Sequence, residues 1–420
     1  MENLNNHDSD FDTDSVFSES DTETTDNSSE TDSIGSDFSD EMIRDIFSEK
    51  PVIKNYNLIK ELGSGSASNV WLCYDIKKKK YQAIKIQFPE KYDEGLFEAK
   101  ILSRLKGTKN IMNIHNYFSV TEDKEKFLCS VFDLFYGSLY DLMKYKKYEN
   151  GFDKTTALNI FGQILNGVKL MHKKHKITHC DLKPDNIFIK GVSDKNKKII
   201  EMYNKMDFHK LYKDELMNVW KAKGNTMVTL NKMPSKLKLK CRINVNKRMI
   251  QSINKKLSRC DDFKVNKNIF KDPYVCIGDF GLCSEEDEDY NDDFGTVYYR
   301  APEVILLGTI TRKVDLWALG CILFELLTGQ ILFDPSKKKY SRDFNHIVDM
   351  IRLCGEFPKK FRKNTKRCKD FFHSDMSLLH DVDTSRVTLN ELVDSDVTLD
   401  EDSQALIMAF LKIDPNHRDL

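Results

Sequence analysis

From residue 56 to 133 the apolar residues come in short runs parted by polar turns, which is the pattern of strands. Residues 56–62, 70–75 and 81–87 read as three antiparallel strands with a polar turn at 77–80, and residues 127–133 read as another. Between them, 94–105 has apolar residues at helical spacing. After Gly137 the spacing becomes mainly helical, over 139–144, 155–175, 315–328, 342–354 and 402–413. A strand-rich small lobe (56–135) followed by a helix-rich large one (136–420) predicts an α+β, bilobal fold whose inter-lobe cleft is the natural site.

Charge divides the chain further. The formal net charge of −1 hides residues 1–49, which hold 16 acidic residues and one basic one, against residues 50–420, with 64 Lys+Arg and 50 Asp+Glu. The acidic stretch pairs hydroxyls with carboxylates, as in Ser9-Asp10, Ser18-Glu19-Ser20-Asp21 and Ser36-Asp37. It has too little apolar surface to offset ordering entropy, so residues 1–55 are expected to be a disordered tail, with hydroxyls suited to an acid-directed kinase. A second unusual stretch, about 191–272, holds 21 Lys+Arg and 8 Asp+Glu. There, 199–223 has the spacing of one amphipathic helix, including Met202, Tyr203, Met206, Leu216 and Trp220; the rest, rich in Lys and Asn, is expected to be mobile. Such an insert reads as a tolerated loop, as a docking or nucleic-acid-attracting arm, or as the counterpart of the acidic tail, a contact that salt would screen. At 40% hydrophobic residues with 26 Phe there is enough to fill a core. No run reaches the ~18 apolar residues of a membrane span, and the acidic N-terminus is unlike a secretory signal. Ten Cys without a C-x-x-C pair indicate reduced thiols in an intracellular, cytoplasmic or nuclear setting, without a disulfide framework or zinc.

Three motifs carry chemistry. After Leu62, the run Gly63-Ser64-Gly65-Ser66-Ala67-Ser68-Asn69-Val70 lies between the first two strands. Its glycines would let backbone N–H groups face phosphate oxygens, although Ser68 holds the third position of G-x-G-x-x-G, and the run alone is also an ordinary hairpin loop. Lys85, in Ala83-Ile84-Lys85-Ile86, sits on a half-buried strand where a cation needs an anionic partner. Glu98 is the candidate, with Glu94 one turn earlier as the fallback. In His179-Cys180-Asp181-Leu182-Lys183-Pro184-Asp185-Asn186, Asp181 offers a carboxylate to orient and deprotonate an alcohol. Lys183 would meet a transferred phosphoryl group, and Asn186 would hold a metal. Asp279-Phe280-Gly281, after Val275-Cys276-Ile277, supplies a second metal carboxylate.

Taken in this order, the motifs resemble those of eukaryotic protein kinases over residues 56–418. Ala301-Pro302-Glu303 closes the segment that Asp279 opens, Asp315-Leu316-Trp317-Ala318-Leu319-Gly320 is similar to the helix that buttresses the catalytic loop, and Arg418 stands where the family pairs an Arg with the Glu at 303. Lys183-Pro184 is similar to the Ser/Thr class. Arg300, in Thr296-Val297-Tyr298-Tyr299-Arg300, and Phe132 as a bulky gatekeeper resemble the CMGC group of cyclin-dependent, MAP, dual-specificity and SR protein kinases. Within it SR protein kinases are most similar, through Ser68 leading into Val70-Trp71-Leu72, through Leu332-Phe333-Asp334-Pro335 with Tyr340-Ser341-Arg342-Asp343 and His346-Ile347, and through the insert between Asp181 and Asp279.

The resemblance implies transfer of the γ-phosphoryl of ATP, with Mg2+ (or Mn2+), to Ser/Thr of protein substrates that are basic or contain Arg/Ser. Asp181 and Lys183 would be catalytic. Leu62, Gly63, Ser64, Gly65, Ser66, Ala67, Ser68, Asn69, Val70, Ala83, Lys85, Glu98, Phe132, Asp133 and Phe135 would form the ATP site, and Asn186 and Asp279 would hold the metal. A monomer is expected, with no membrane partner and no required nucleic acid. A proline-directed kinase of the same group, or a scaffold binding through tail and insert, are the alternatives. Cys180 stands where regulated members carry an Arg that reads a phosphorylated activation segment. The segment itself, 284–293, is already acidic, so activity without its phosphorylation at Ser284, Tyr290 or Thr296 is expected. The Lys-, Asn- and Ile-rich, Gly-poor composition fits an AT-rich genome, such as that of a protist or large DNA virus.

Overall fold

In the computed structural model the described residues are 46–258, 273–285, 294–335, 339–393 and 397–419. The small lobe is an antiparallel six-stranded sheet: β1 (Val52–Ile53), β2 (Tyr56–Ser64), β3 (Ser68–Asp75), β4 (Lys80–Gln87), β5 (Ile114–Glu122) and β6 (Glu125–Phe132), in the order β1-β2-β3-β4-β6-β5. The β3–β4 turn forms because the Asp75 carboxylate accepts hydrogen bonds from the N–H groups of Lys77 (2.9 Å) and Lys78 (3.1 Å), a local alternative to extended chain. Helix α1 (Tyr92–Arg104) lays Ala99, Ile101 and Leu102 against the lobe and carries Glu98 inward.

The small lobe begins earlier than the charge pattern predicts. Residues 46–49 are helical, and Ile46 and Phe47 join the core within the sheet, with Phe47 edge-on to Phe127 at 5.4 Å. Residues 46–55 therefore belong to the folded body rather than to a tail reaching 55, because two apolar side chains there find a pocket. Residues 1–45 lie outside the described residues.

The large lobe starts with β7 (Phe135–Ser138), which pairs with β8 (Ile187–Lys190) and through it with β9 (Val275–Ile277). Helices α2 (Leu139–Met143) and α3 (Lys154–Leu170) follow; the helix expected to run to 175 gives way to a wider turn, Met171–His175, that ends at Lys176 with φ +61°. After β8 come three insert helices, α4 (Asp194–Lys205), α5 (Phe208–Lys221) and α6 (Ser235–Leu257). Beyond β9 lie α7 (Pro302–Ile305), α8 (Lys313–Thr328), α9 (Arg342–Cys354), α10 (Lys359–Lys363) and α11 (Glu401–Phe410). Helix α8 is buried on every side from Val314 to Thr328, as its almost unbroken apolar run requires. Phe410 of α11 meets Phe161 of α3 at 5.5 Å beside it.

The insert departs most from expectation. The helix expected over 199–223 is two helices, broken at Asp207, whose backbone is left-handed (φ +48°) and whose carboxylate caps α5. The part expected to be mobile contains α6, and the insert lies on the small lobe: Ile199, Tyr203, Phe208, Val245, Met249 and Ile253 pack on Ile59, Leu72 and Tyr74 of β2 and β3. A buried polar network fixes the register. Asn57 Nδ2 donates to Tyr203 Oη (2.9 Å), which donates to Asn246 Oδ1 (2.8 Å), and Asn246 Nδ2 donates to the carbonyls of Pro51 and Leu58 (both 2.8 Å). Arg242 Nε donates to Asn57 Oδ1 at 2.7 Å. Asn57, Tyr203 and Asn246 thus bond one another or the small-lobe backbone, which is the condition for burying such groups at little cost, while Arg242 Nη2 is buried without a partner among the described residues. At its root the N-terminal segment also meets the insert, through Glu49 and Lys247 (2.5 Å).

Candidate active site

The β4 strand and α1 bring Lys85 Nζ to 2.7 Å from Glu98 Oε2. Burial alone would push this lysine down, but Glu98 and then Asp279 outweigh it and hold the ammonium above the ordinary lysine range. Glu94, the fallback partner, instead pairs with Lys91 at 2.7 Å on the exposed side.

Lys85 lines a cavity of about 350 Å³ between the lobes, within the size range of nucleotide-sized ligand pockets. Leu62, Gly63, Val70, Ala83, Glu98, Phe132, Asp133, Phe135 and Asp279 line it as the sequence predicts; Met112, Tyr136, Gly137, Ser138, Asp141, Phe188 and Asn196 are additions. Residues Ser64, Gly65, Ser66, Ala67, Ser68 and Asn69 form the hairpin end beyond the lining, where Gly65 N–H donates to the Ser68 carbonyl at 3.0 Å. Asn69 is turned into the lobe interior, fully buried.

The loop after α3 is shaped from below by Asp315 at the start of α8. Its carboxylate accepts the N–H groups of His179 (2.8 Å) and Cys180 (3.0 Å) and lies 2.7 Å from His172 Nε2. These bonds hold Cys180 in a left-handed conformation (φ +68°) and present Asp181. His179 Nε2 meets the Gly278 carbonyl at 3.0 Å and its ring packs edge-on to the buried Phe280, tying the loop to the turn that carries Asp279. Gly278 N–H donates to the Asn186 carbonyl (2.9 Å), so the two oxygen-bearing side chains Asn186 and Asp279 are brought to one region. An amide oxygen and a carboxylate are hard donors suited to Mg2+ completed by phosphate oxygens. Among the described residues no cluster of three or more His, Cys, Asp or Glu forms an all-protein metal cage.

Around Asp181 the contacts converge. Lys183 Nζ stands 2.8 Å from Asp181 Oδ2, Asn186 Nδ2 donates to the same oxygen at 3.2 Å, and Thr296 donates to Oδ1 from both N–H and Oγ1 at 2.8 Å. Lys183 Nζ also donates to Thr296 Oγ1 at 2.7 Å. Burial would raise the Asp181 carboxyl, yet Lys183 and then Thr296 hold it below the usual carboxylate range, so it is ionised at neutral pH. Thr296 is the residue that sequence reasoning left without a role here. It can approach because Gly295 (φ +71°) places its α-carbon where any Cβ would sit 2.7 Å from the Cys180 carbonyl. Of the other hydroxyls considered in the activation segment, Ser284 is buried and backbone-paired to Thr178, and Tyr290 lies outside the described residues. Farther back, Arg418 clamps Glu303 with two bonds of 2.6 and 2.7 Å, both side chains buried, as the family likeness implies.

A family model of the protein kinase domain matches residues 56–206 and 261–418. A protein of Acanthamoeba polyphaga mimivirus named as a serine/threonine-protein kinase is 25% identical over 407 residues, covering 76% of this chain and 75% of its own length. The serine/threonine-protein kinase SRPK of Physarum polycephalum is 27% identical over 329 residues, covering 76% of this chain and 71% of its own. A crystal structure of another kinase domain, 19% identical, superposes with a TM-score of 0.60 over 88% of this chain and 94% of that one, which shows a shared fold. No helix among the described residues is long and apolar enough to cross a membrane. The family model takes in both stretches that build the cavity and the Asp181 loop, and its relatives include SR-type members of the CMGC group; the chain belongs to the protein kinase family, among its ATP-dependent serine/threonine enzymes.

Proposed function

We propose that this kinase phosphorylates Ser/Thr in basic, Arg/Ser-containing proteins, with Asp181 as the group that orients and deprotonates the acceptor hydroxyl. The observation that carries the reading is the convergence of Lys183, Thr296 and Asn186 on one ionised, half-sequestered carboxylate. The hydroxyl proton passes to Asp181 as the new O–P bond forms and the bond to the ADP oxygen breaks; Lys183 offsets charge on the transferring oxygens. Lys85, fixed by Glu98, holds the nucleotide phosphates under the β2–β3 hairpin. Asn186 and Asp279 are the residues that would hold Mg2+, which when bound neutralises phosphate charge. Positioning and preorganised charge supply most of the acceleration.

The preference for basic substrates draws on Asp185 and Asp141. Burial raises the Asp185 carboxyl, and the nearby Asp141 raises it further, while Lys183 and Lys144 draw it down. A substrate guanidinium between the two carboxylates would relieve their repulsion.

The test is γ-phosphate transfer from Mg-ATP by phosphatase-treated protein and by Asp181→Ala, to an Arg/Ser-repeat peptide and to a Ser-Pro peptide. The expected result is transfer to the Arg/Ser peptide without prior phosphorylation, falling about 10²- to 10⁴-fold in the variant. Transfer to Ser-Pro alone would replace the basic-substrate reading with a proline-directed one, and no transfer with nucleotide still bound would favour a scaffold.

A further inference from the structure

Where the insert leaves the large lobe it passes the mouth of the nucleotide cavity. Lys190, the last residue of β8, pairs with Phe135 on the strand that lines that mouth. The chain then bends at Gly191 (φ +143°), and Ser193 caps α4, its Oγ accepting the Asn196 N–H at 3.2 Å. Asn196 lies three residues before Ile199 and seven before Tyr203, so all three share one helix face. Ile199 and Tyr203 are fully buried against the small lobe, which fixes the rotation of α4 and turns Asn196 to the cavity.

The cavity is graded. Lys85, Glu98 and Asp279 make one end ionic; Ala83, Met112 and Phe188 give apolar walls suited to a purine; Asp133, already 2.7 Å from His115 Nε2, and then Ser138, Asp141 and Asn196 add further polar groups to the lining. Of the last three, Ser138 and Asp141 bond each other, Ser138 Oγ and N–H both donating to Asp141 Oδ2 at 2.9 Å and Asp141 N–H donating back to Ser138 Oγ, which leaves Asp141 Oδ1 open. The Asn196 carboxamide makes no side-chain hydrogen bond to the described residues, and a carboxamide can both donate and accept. A nucleotide whose base lies on the apolar walls and whose phosphates reach Lys85 must put its sugar between them.

We propose that Asn196, carried by the insert, hydrogen-bonds the ribose hydroxyls of ATP, making the insert part of the nucleotide site. This rests on the reading of the cavity as the ATP site. A family member without α4 would leave that edge to solvent; here nucleotide affinity is tied to how the insert packs.

The test is calorimetric titration of the full chain with ATP and with 2′-deoxyATP and 3′-deoxyATP, for the natural protein, Asn196→Ala and Asn196→Asp, with thermal unfolding as a check on folding. The natural protein should bind ATP about three- to tenfold more tightly than at least one deoxy nucleotide, as loss of one hydrogen bond predicts. In Asn196→Ala the ATP Kd should rise by that factor and the preference disappear, with KM for ATP following Kd. Asn196→Asp, which keeps an acceptor and loses the donor, should fall between. Unchanged ATP affinity or a retained preference in Asn196→Ala would overturn the proposal while leaving the ATP site intact. Failure of the natural protein to bind ATP, or binding unaffected by Lys85→Met, would overturn the ATP reading itself and the proposal with it.

Discussion

Glu325 lies on α8 beneath the segment that carries Thr296, a buried acid that the phosphotransfer chemistry does not use. Burial pushes its carboxyl up to about 7, although the Tyr299 hydroxyl, donating at 2.6 Å, draws it back. An unfolded glutamate titrates near 4.5, so between that pH and about 7 the folded protein holds one more proton than the unfolded chain. Unfolding free energy must then fall as pH rises through this window and level off above it, by up to about 1.4 kcal/mol per pH unit from this group. Glu325→Gln keeps an acceptor for Tyr299 and removes the proton. Urea unfolding at several pH values should show that the natural protein loses stability relative to the variant from about pH 5 to pH 7; parallel pH profiles would mean that Glu325 is ionised in the fold. Asp181 behaves in the opposite sense. Its carboxyl is held low, so its contribution is present at neutral pH and is lost only as pH falls through its folded value.

At the scale of elements, the insert divides what composition predicts from what packing decides. The motif residues were legible because phosphotransfer demands particular side chains in a particular order, and the structure brings Lys85 to Glu98 and Asp181 to Lys183 and Asn186. Lys and Asn dominate the composition of helix α6 and predict mobile chain, yet Cys241, Val245, Met249 and Ile253 recur every four residues, and all four are buried. A second signal lay in β3. Trp71, Leu72, Cys73 and Tyr74 are all apolar and all buried, Trp71 and Cys73 inside the sheet and Leu72 and Tyr74 under the insert. A strand with solvent on one face would alternate; an unbroken apolar run says that something covers both. The break at Asp207 has a local signature, an Asp whose carboxylate caps the next helix at Lys210, whereas the role of Thr296 has none, since it depends on chain distant in sequence. If α6 is structural, Met249→Ala should cost about 2 to 5 kcal/mol in thermal or urea unfolding, while Lys255→Ala on its exposed side should stay within roughly 0.5 kcal/mol. Two silent substitutions would return the insert to the status of a mobile arm.

Across the whole molecule, residues 46–58, the rest of the small-lobe sheet and the insert, which is far from both in sequence, form one unit. Asn246 reaches the carbonyls of Pro51 and Leu58, Arg242 reaches the Lys54 carbonyl and Asn57, and Phe47 fills the interior beside Phe127. The matched kinase family model includes neither residues 46–55 nor 207–260, and both stretches pack on the small lobe. Residues 46–55 should therefore be needed for stability, and two truncations test it. Removing residues 1–45 deletes 15 acidic residues and Arg44 and takes the formal charge from −1 to +13, a large change in long-range field, but no buried side chain among the described residues goes with it. Removing residues 1–55 changes the charge little further and deletes Ile46, Phe47, Val52 and Ile53, while Asn246 loses the Pro51 carbonyl and Arg242 that of Lys54. Loss of one buried Phe alone typically costs about 3 to 5 kcal/mol, and an orphaned buried donor roughly 1 to 3 more. Thermal unfolding at matched ionic strength should leave the first truncation near the full chain and drop the second by many degrees or leave it unfolded. If the first already melted like the second, the acidic stretch would be holding the body together through charge, and raising the salt should then destabilise the full chain toward the same value.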